Sequence, residues 1–163
     1  MIEKIIEIQK ALESELYNCA LTLTLTLPDI CGKVEYPELK SKDRYILWFD
    51  NYAKPLFITS AQFLPGEKIV DYTIISAEEL WKIRCAVFHS GNYKVQGISL
   101  SDISFHAHRR NGENYSHFIR DARKADFDVI FICETVCRAA EQYYCGKNDK
   151  SVFSTDEVEI CTW

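Results

Sequence analysis

The sequence predicts a mainly α fold: an up-and-down bundle of four to five helices with a small β-hairpin insert before the last long helix. Three observations carry this expectation. Apolar residues recur every three or four positions over residues 5–27, 76–91 and 126–146, the period of one helical face. Start and stop signals bracket the later two stretches, with Ser76 and Glu79 forming a capping-box pattern, Asp126 placed as a cap, and Gly91 and Gly146 as stops. Between them, residues 98–106 alternate apolar with polar side chains, Arg110-Asn111-Gly112-Glu113 reads as a turn, and Tyr115 to Phe118 reads as the returning strand.

The first helix is expected to be long. Ile5, Ile8, Leu12, Leu16, Cys19, Leu23 and Leu27 form one seam, with Glu3, Glu7, Lys10, Glu13 and Glu15 on the opposite face. Leu21 to Leu27 alternates Leu with Thr, which is also a strand pattern, but the helical seam runs through it without a change of phase. Pro28 ends or kinks that element, and its fixed φ suits the first turn of a short helix through Asp29, Ile30, Cys31 and Val34. Asp43 then opens a third helix whose aromatic face of Tyr45, Ile46, Trp48, Phe49 and Tyr52 is read as core. Residues 56–75, which include Pro65-Gly66, have no helical period and read as an irregular connection. In the last helix Val129, Ile130, Cys133, Val136, Cys137 and Ala140 form the apolar stripe, and a tail follows from about residue 147.

With 163 residues, 47% of them hydrophobic, the chain is long enough for a single domain spanning 1–163 with a substantial core. Neither a membrane span nor a secretory leader is expected, because no apolar run approaches the roughly 20 residues a span requires. Seven cysteines without framework spacing suit a reducing, cytoplasmic setting. A formal net charge of −5 argues against binding nucleic acid through bulk electrostatics, so a polyanion would have to meet a local basic patch. One such patch lies between His106 and Lys124, with Arg109, Arg110, Arg120 and Arg123. The alternative reading of those residues is a solvated hairpin.

The densest chemistry lies in Arg84-Cys85-Ala86-Val87-Phe88-His89, which closes an apolar helix before Ser90-Gly91-Asn92. Arg is charged at every accessible pH and offers a planar fork of donors suited to phosphate, while His exchanges protons near neutrality. Together they can act on a phosphodiester without a metal. Five helical steps separate them by roughly 140°, so an unwound last turn, a swung Arg stem or a second chain is needed to bring them together. The competing reading is a surface salt bridge for Arg84 and a His89 that caps the last carbonyls.

An Arg, four to six residues and a His at the end of an apolar helix, followed by a Gly turn, resembles the active-site motif of the HEPN superfamily (higher eukaryotes and prokaryotes nucleotide-binding domains). Here it reads from Leu80 to Asn92. The resemblance implies a helical bundle, a homodimer that joins two motifs, and metal-independent RNA cleavage by a toxin or phage-defence effector, with an antitoxin protein as a further partner. It makes Arg84 and His89 the catalytic residues. Cys85 departs from the Asn, Asp or His that many members carry after the Arg. Ser90 and Asn92 are candidates for orienting phosphate or imidazole, or plain turn residues. Arg109 and Arg110 are candidates for steering RNA.

No cofactor is expected, since neither a P-loop nor a dinucleotide-binding glycine pattern is present. No metal is expected either. Cys133 and Cys137 with Cys145, or His106 with His108, are the nearest approaches to a ligand set, and both lack paired-Cys spacing or a third ligand. The alternative function is a catalytically silent HEPN-like dimerisation module that binds a protein partner or a nucleotide.

Overall fold

A computed structural model describes residues 1–61, 68–90, 102–107, 118–120 and 124–153, with the backbone alone at 61, 89, 90, 102, 119 and 120. Over these residues the chain is a mainly helical bundle with small β elements. In chain order the helices are α1 (Ile2–Glu13), α2 (Tyr17–Thr24), α3 (Leu27–Glu35), α4 (Ser41–Trp48), α5 (Ala77–Ser90) and α6 (Val129–Gly146). The strands are β1 (Ile58–Ala61), β2 (Val70–Thr73), β3 (Asp102–His106), β4 (Phe118–Arg120) and β5 (Lys124–Asp128).

The long first helix is broken into two, α1 and α2. Glu15 adopts a φ of 60°, and the Leu16 amide donates to the Ala11 carbonyl (2.8 Å) while the Glu15 amide donates to Leu12 (3.1 Å). Those two bonds satisfy carbonyls at the end of α1 and turn the chain back on itself. Nothing in the apolar period announces the break, because Glu is not a residue that favours left-handed backbone. Leu21 to Thr24 is nonetheless helical, as the apolar phase implied. The threonines fit a helix because Thr22 and Thr24 donate back to the carbonyls of Asn18 (2.7 Å) and Ala20 (2.8 Å). Pro28 sits in the first turn of α3, its expected place.

α6 is the central element, packed against α1, α2, α3 and the segment that follows α4. Its buried face includes Val129, Cys133, Val136, Cys137, Ala140 and Tyr143. From α4 the chain tightens into a π turn, Phe49–Ala53, and a 3-10 turn, Lys54–Phe57. Tyr45, Trp48 and Phe49 are fully buried there, so this aromatic face is core.

Gly32 sets the spacing between α3 and α4. A Cβ at that position would lie 2.7 Å from the Arg44 carbonyl oxygen, closer than atoms can pack, so only glycine permits this approach.

Two local readings differ from the structure. Residues 58–61 and 70–73, read as irregular, form the antiparallel pair β1–β2, with Thr59 opposite Tyr72. Before α6 the expected hairpin of two strands is a three-stranded sheet in the order β3-β5-β4, with β5 parallel to β3 and antiparallel to β4. Asp126 therefore does not cap α6. It lies in β5, and Asp128 is the cap, accepting from the Ile130 amide at 3.0 Å. The alternation of buried Ala125 and Phe127 with exposed Lys124 is a period-2 signal, but five residues are too few to outweigh the helical stripe that follows. The turn at 110–113 and the tail from residue 154 lie outside the described residues.

The far end of α3 is fastened by Glu35. Tyr52 (2.9 Å) and Tyr143 (2.8 Å) donate to its carboxylate, and Lys147 pairs with it. The Lys147 contact, followed by the two phenols, lowers the Glu35 pKa below its ordinary value. A lowered folded-state pKa means that this stabilisation is complete above the unfolded value of about 4.3 and is lost as pH falls through the folded one. Glu35→Gln is expected to lose about 1–3 kcal/mol in urea unfolding at about pH 7, and the gap from the native chain should close toward about pH 2. A gap that stays constant over that range contradicts the assignment.

Candidate functional site

α5 positions Arg84, and its start is fixed by the capping box read from the sequence. The Ser76 amide and hydroxyl both donate to Glu79 Oε2 (2.9 and 2.8 Å), and the Glu79 amide approaches Ser76 Oγ at 3.3 Å. Leu80 and Ile83 are fully buried and anchor the helix. Trp81 and Cys85 of the same helix are only half-buried, and Phe88 is 46% exposed. The Arg84 guanidinium lies 4.7 Å from the Trp81 ring and 5.4 Å from the Phe88 ring, the side chains one helical turn before and after it.

Its edge points to α3. Arg84 Nη2 donates to Asp29 Oδ2 at 3.3 Å. The other carboxylate oxygen of Asp29 accepts from Arg44 Nε (3.0 Å) and Ser41 Oγ (2.9 Å), and Arg44 Nη2 lies 2.9 Å from it as an ion pair. One carboxylate thus serves two guanidinium groups, leaving one positive charge in excess. The three charged side chains are each about one-fifth exposed: 19% for Arg44, 21% for Asp29 and 22% for Arg84. Asp29 also lies in the first turn of α3, where the helix dipole favours a negative charge.

Tyr45 closes the inner side of this cluster, its ring edge-on to Trp81 at 5.1 Å. Burial pushes its phenol well above the ordinary range, so it stays neutral.

α5 remains helical through Ser90, so its last turn does not unwind to bring His89 toward Arg84. The side chains of His89 and Ser90, and all of Asn92, Arg109 and Arg110, lie outside the described residues. Sequence reasoning missed Asp29, Arg44 and Ser41. They stand 55, 40 and 43 positions from Arg84, beyond the reach of any local spacing pattern.

The histidine expected on the hairpin takes a different partner. His106 Nδ1 lies 2.8 Å from Asp126 Oδ2, and Ser104 donates to Asp126 Oδ1 at 2.8 Å, which joins β3 to β5 by side chains as well as backbone. Among the cysteines, burial raises Cys133 and Cys137 to about 12, leaving both thiols protonated and unreactive at neutral pH. Among the described residues, no three His, Cys, Asp or Glu side chains converge as a metal site, and no helix is long and apolar enough to cross a membrane.

The Tyr45 hydroxyl is buried and has no hydrogen-bond partner among the described residues. Such a group opposes folding, so Tyr45→Phe is expected to leave the urea midpoint unchanged or to raise stability by up to about 1 kcal/mol. A loss of more than about 1 kcal/mol would show that the hydroxyl is engaged.

Comparison of the chain with protein-family models, curated proteins and solved structures found no match.

Proposed function

We propose that the chain is a HEPN-like, metal-independent endoribonuclease that acts as a homodimer, in the role of a toxin or phage-defence effector. The observation that supports this reading is the preparation of Arg84. Its guanidinium is held near two aromatic rings and against a carboxylate, in a cluster with an excess positive charge, midway along the helix that carries His89. A cation fixed before substrate arrives stabilises developing negative charge without reorganising.

In the proposed reaction His89 takes the proton of the RNA 2′-hydroxyl, and the 2′-oxygen attacks phosphorus. Arg84 balances the added charge of the phosphorane. The bond from phosphorus to the 5′-oxygen then breaks, and the leaving oxygen receives a proton, from His89 of the second protomer in the dimeric arrangement. The products are a 2′,3′-cyclic phosphate and a 5′-hydroxyl. The route requires RNA, because the nucleophile is the 2′-hydroxyl.

A second reading has its own support. Arg84 already has a carboxylate partner in its own chain, as expected of a silent dimerisation module in which the cluster fastens α5 to α3. Incubating the purified protein with RNA in EDTA separates the two readings. The nuclease reading expects cleavage with cyclic phosphate ends, reduced about 10²- to 10⁴-fold by His89→Ala. Full activity in that variant together with loss of activity in chelator would exclude it.

A further inference from the structure

We propose that Arg44 is a second phosphate-binding side chain of the Arg84 site, with Asp29 as the carboxylate that positions both guanidinium groups for one oxyanion of the RNA backbone. The proposal rests on the ribonuclease reading above and adds to it a cation from another helix.

The charge and the donors both leave room for an anion. Two guanidinium groups and one carboxylate sum to one positive charge, held where the side chains are about four-fifths shielded from water. A desolvated excess charge is costly unless a counter-ion meets it. Each guanidinium carries five N–H donors in a plane. Arg44 directs its Nε and Nη2 to Asp29, and Arg84 directs only Nη2 there, while Arg84 Nε is buried without a partner among the described residues. Trp81 and Phe88 flank the Arg84 guanidinium carbon at 4.7 and 5.4 Å, so the two rings help to fix its position. Arginine binds phosphate through charge-assisted N–H bonds, and the N–H groups of both side chains not turned to Asp29 are the ones the proposal assigns to the oxyanion.

The backbone holds Arg44 in place. Gly32 permits α4 to approach α3 at Arg44, and Asp29 stands three residues before that glycine, so its carboxylate meets the guanidinium. Ser41 fills the remaining approach to the same carboxylate oxygen. Asp29 is a positioning residue here: it touches the two cations, and they touch the substrate.

The test is binding of a fluorescent 2′-O-methyl RNA oligonucleotide, which cannot be cleaved through its 2′-position, to the full chain over a range of KCl concentrations. Arg44→Gln is expected to weaken binding about tenfold or more and to flatten the log–log salt slope by about 0.7, the value for one lost single-strand phosphate contact. Arg44→Lys, which keeps the charge, should retain the slope. A structural arginine would lower the melting temperature without moving the slope, and an unchanged slope in a folded Arg44→Gln protein overturns the proposal.

A second measurement needs no variant. Phenylglyoxal modification of the native chain, mapped by mass spectrometry, should be slowed at both Arg44 and Arg84 by the same oligonucleotide. Protection of Arg84 alone overturns the proposal. Binding with both arginines protected but no cleavage of ordinary RNA would retire the nuclease reading and uphold the cradle. Cleavage with Arg44 unprotected would do the reverse.

Discussion

A single carboxylate organises the place where α3, α4 and α5 meet at Arg84. Asp29 meets Arg44 and Ser41 through one oxygen and Arg84 through the other, joining the first turn of α3 to the first turn of α4 and to the middle of α5. Helices from three stretches of chain meet there around charge instead of apolar surface. A partly buried ion cluster is a poor source of stability, because desolvation offsets most of the attraction. It fixes geometry instead. The planes of two guanidinium groups are set by one acceptor, and aromatic rings restrict one of them further.

The core supports this arrangement from beneath. Tyr45 lies against Trp81 beside the Arg84 cluster, while Trp48 stacks with Tyr52 at 5.7 Å and Tyr52 meets Tyr143 edge-on at 4.8 Å beside Glu35, so α4 carries an aromatic side chain into each group. The two carboxylates stand near opposite ends of α3, Asp29 in its first turn and Glu35 as its last residue, and each holds cations from other elements. α3 is therefore tied at both ends to the helices it packs on. The glycine between them allows the contact to be close.

Much of this was legible in the sequence wherever the cause is local. The capping box at Ser76 and Glu79, the buried aromatic face of α4, the proline in the first turn of α3 and the helical state of Leu21 to Thr24 each follow from residues within one or two turns of one another. The break at Glu15 was not legible, because left-handed backbone at a glutamate depends on how α1 and α2 pack and not on the residue itself. The short strand β5 was hidden by the helix that follows it. At the site, Arg84 stood out for its residue type and place on α5, whereas Asp29 and Arg44 carry no spacing signal that ties them to it. Gly32 was the faint clue, since a glycine inside a short helix marks a close approach of another backbone.

Through these contacts Asp29, Arg44 and Arg84 form one unit. A double-mutant cycle in urea unfolding, with Asp29→Asn, Arg84→Gln and the pair combined, tests this most directly. Losing the carboxylate alone leaves two cations facing each other, so the account predicts that Asp29→Asn costs less when Arg84 is already neutral, with a coupling energy of about 1 kcal/mol or more. Effects that add to within about 0.3 kcal/mol would show that the two residues are independent and would contradict it.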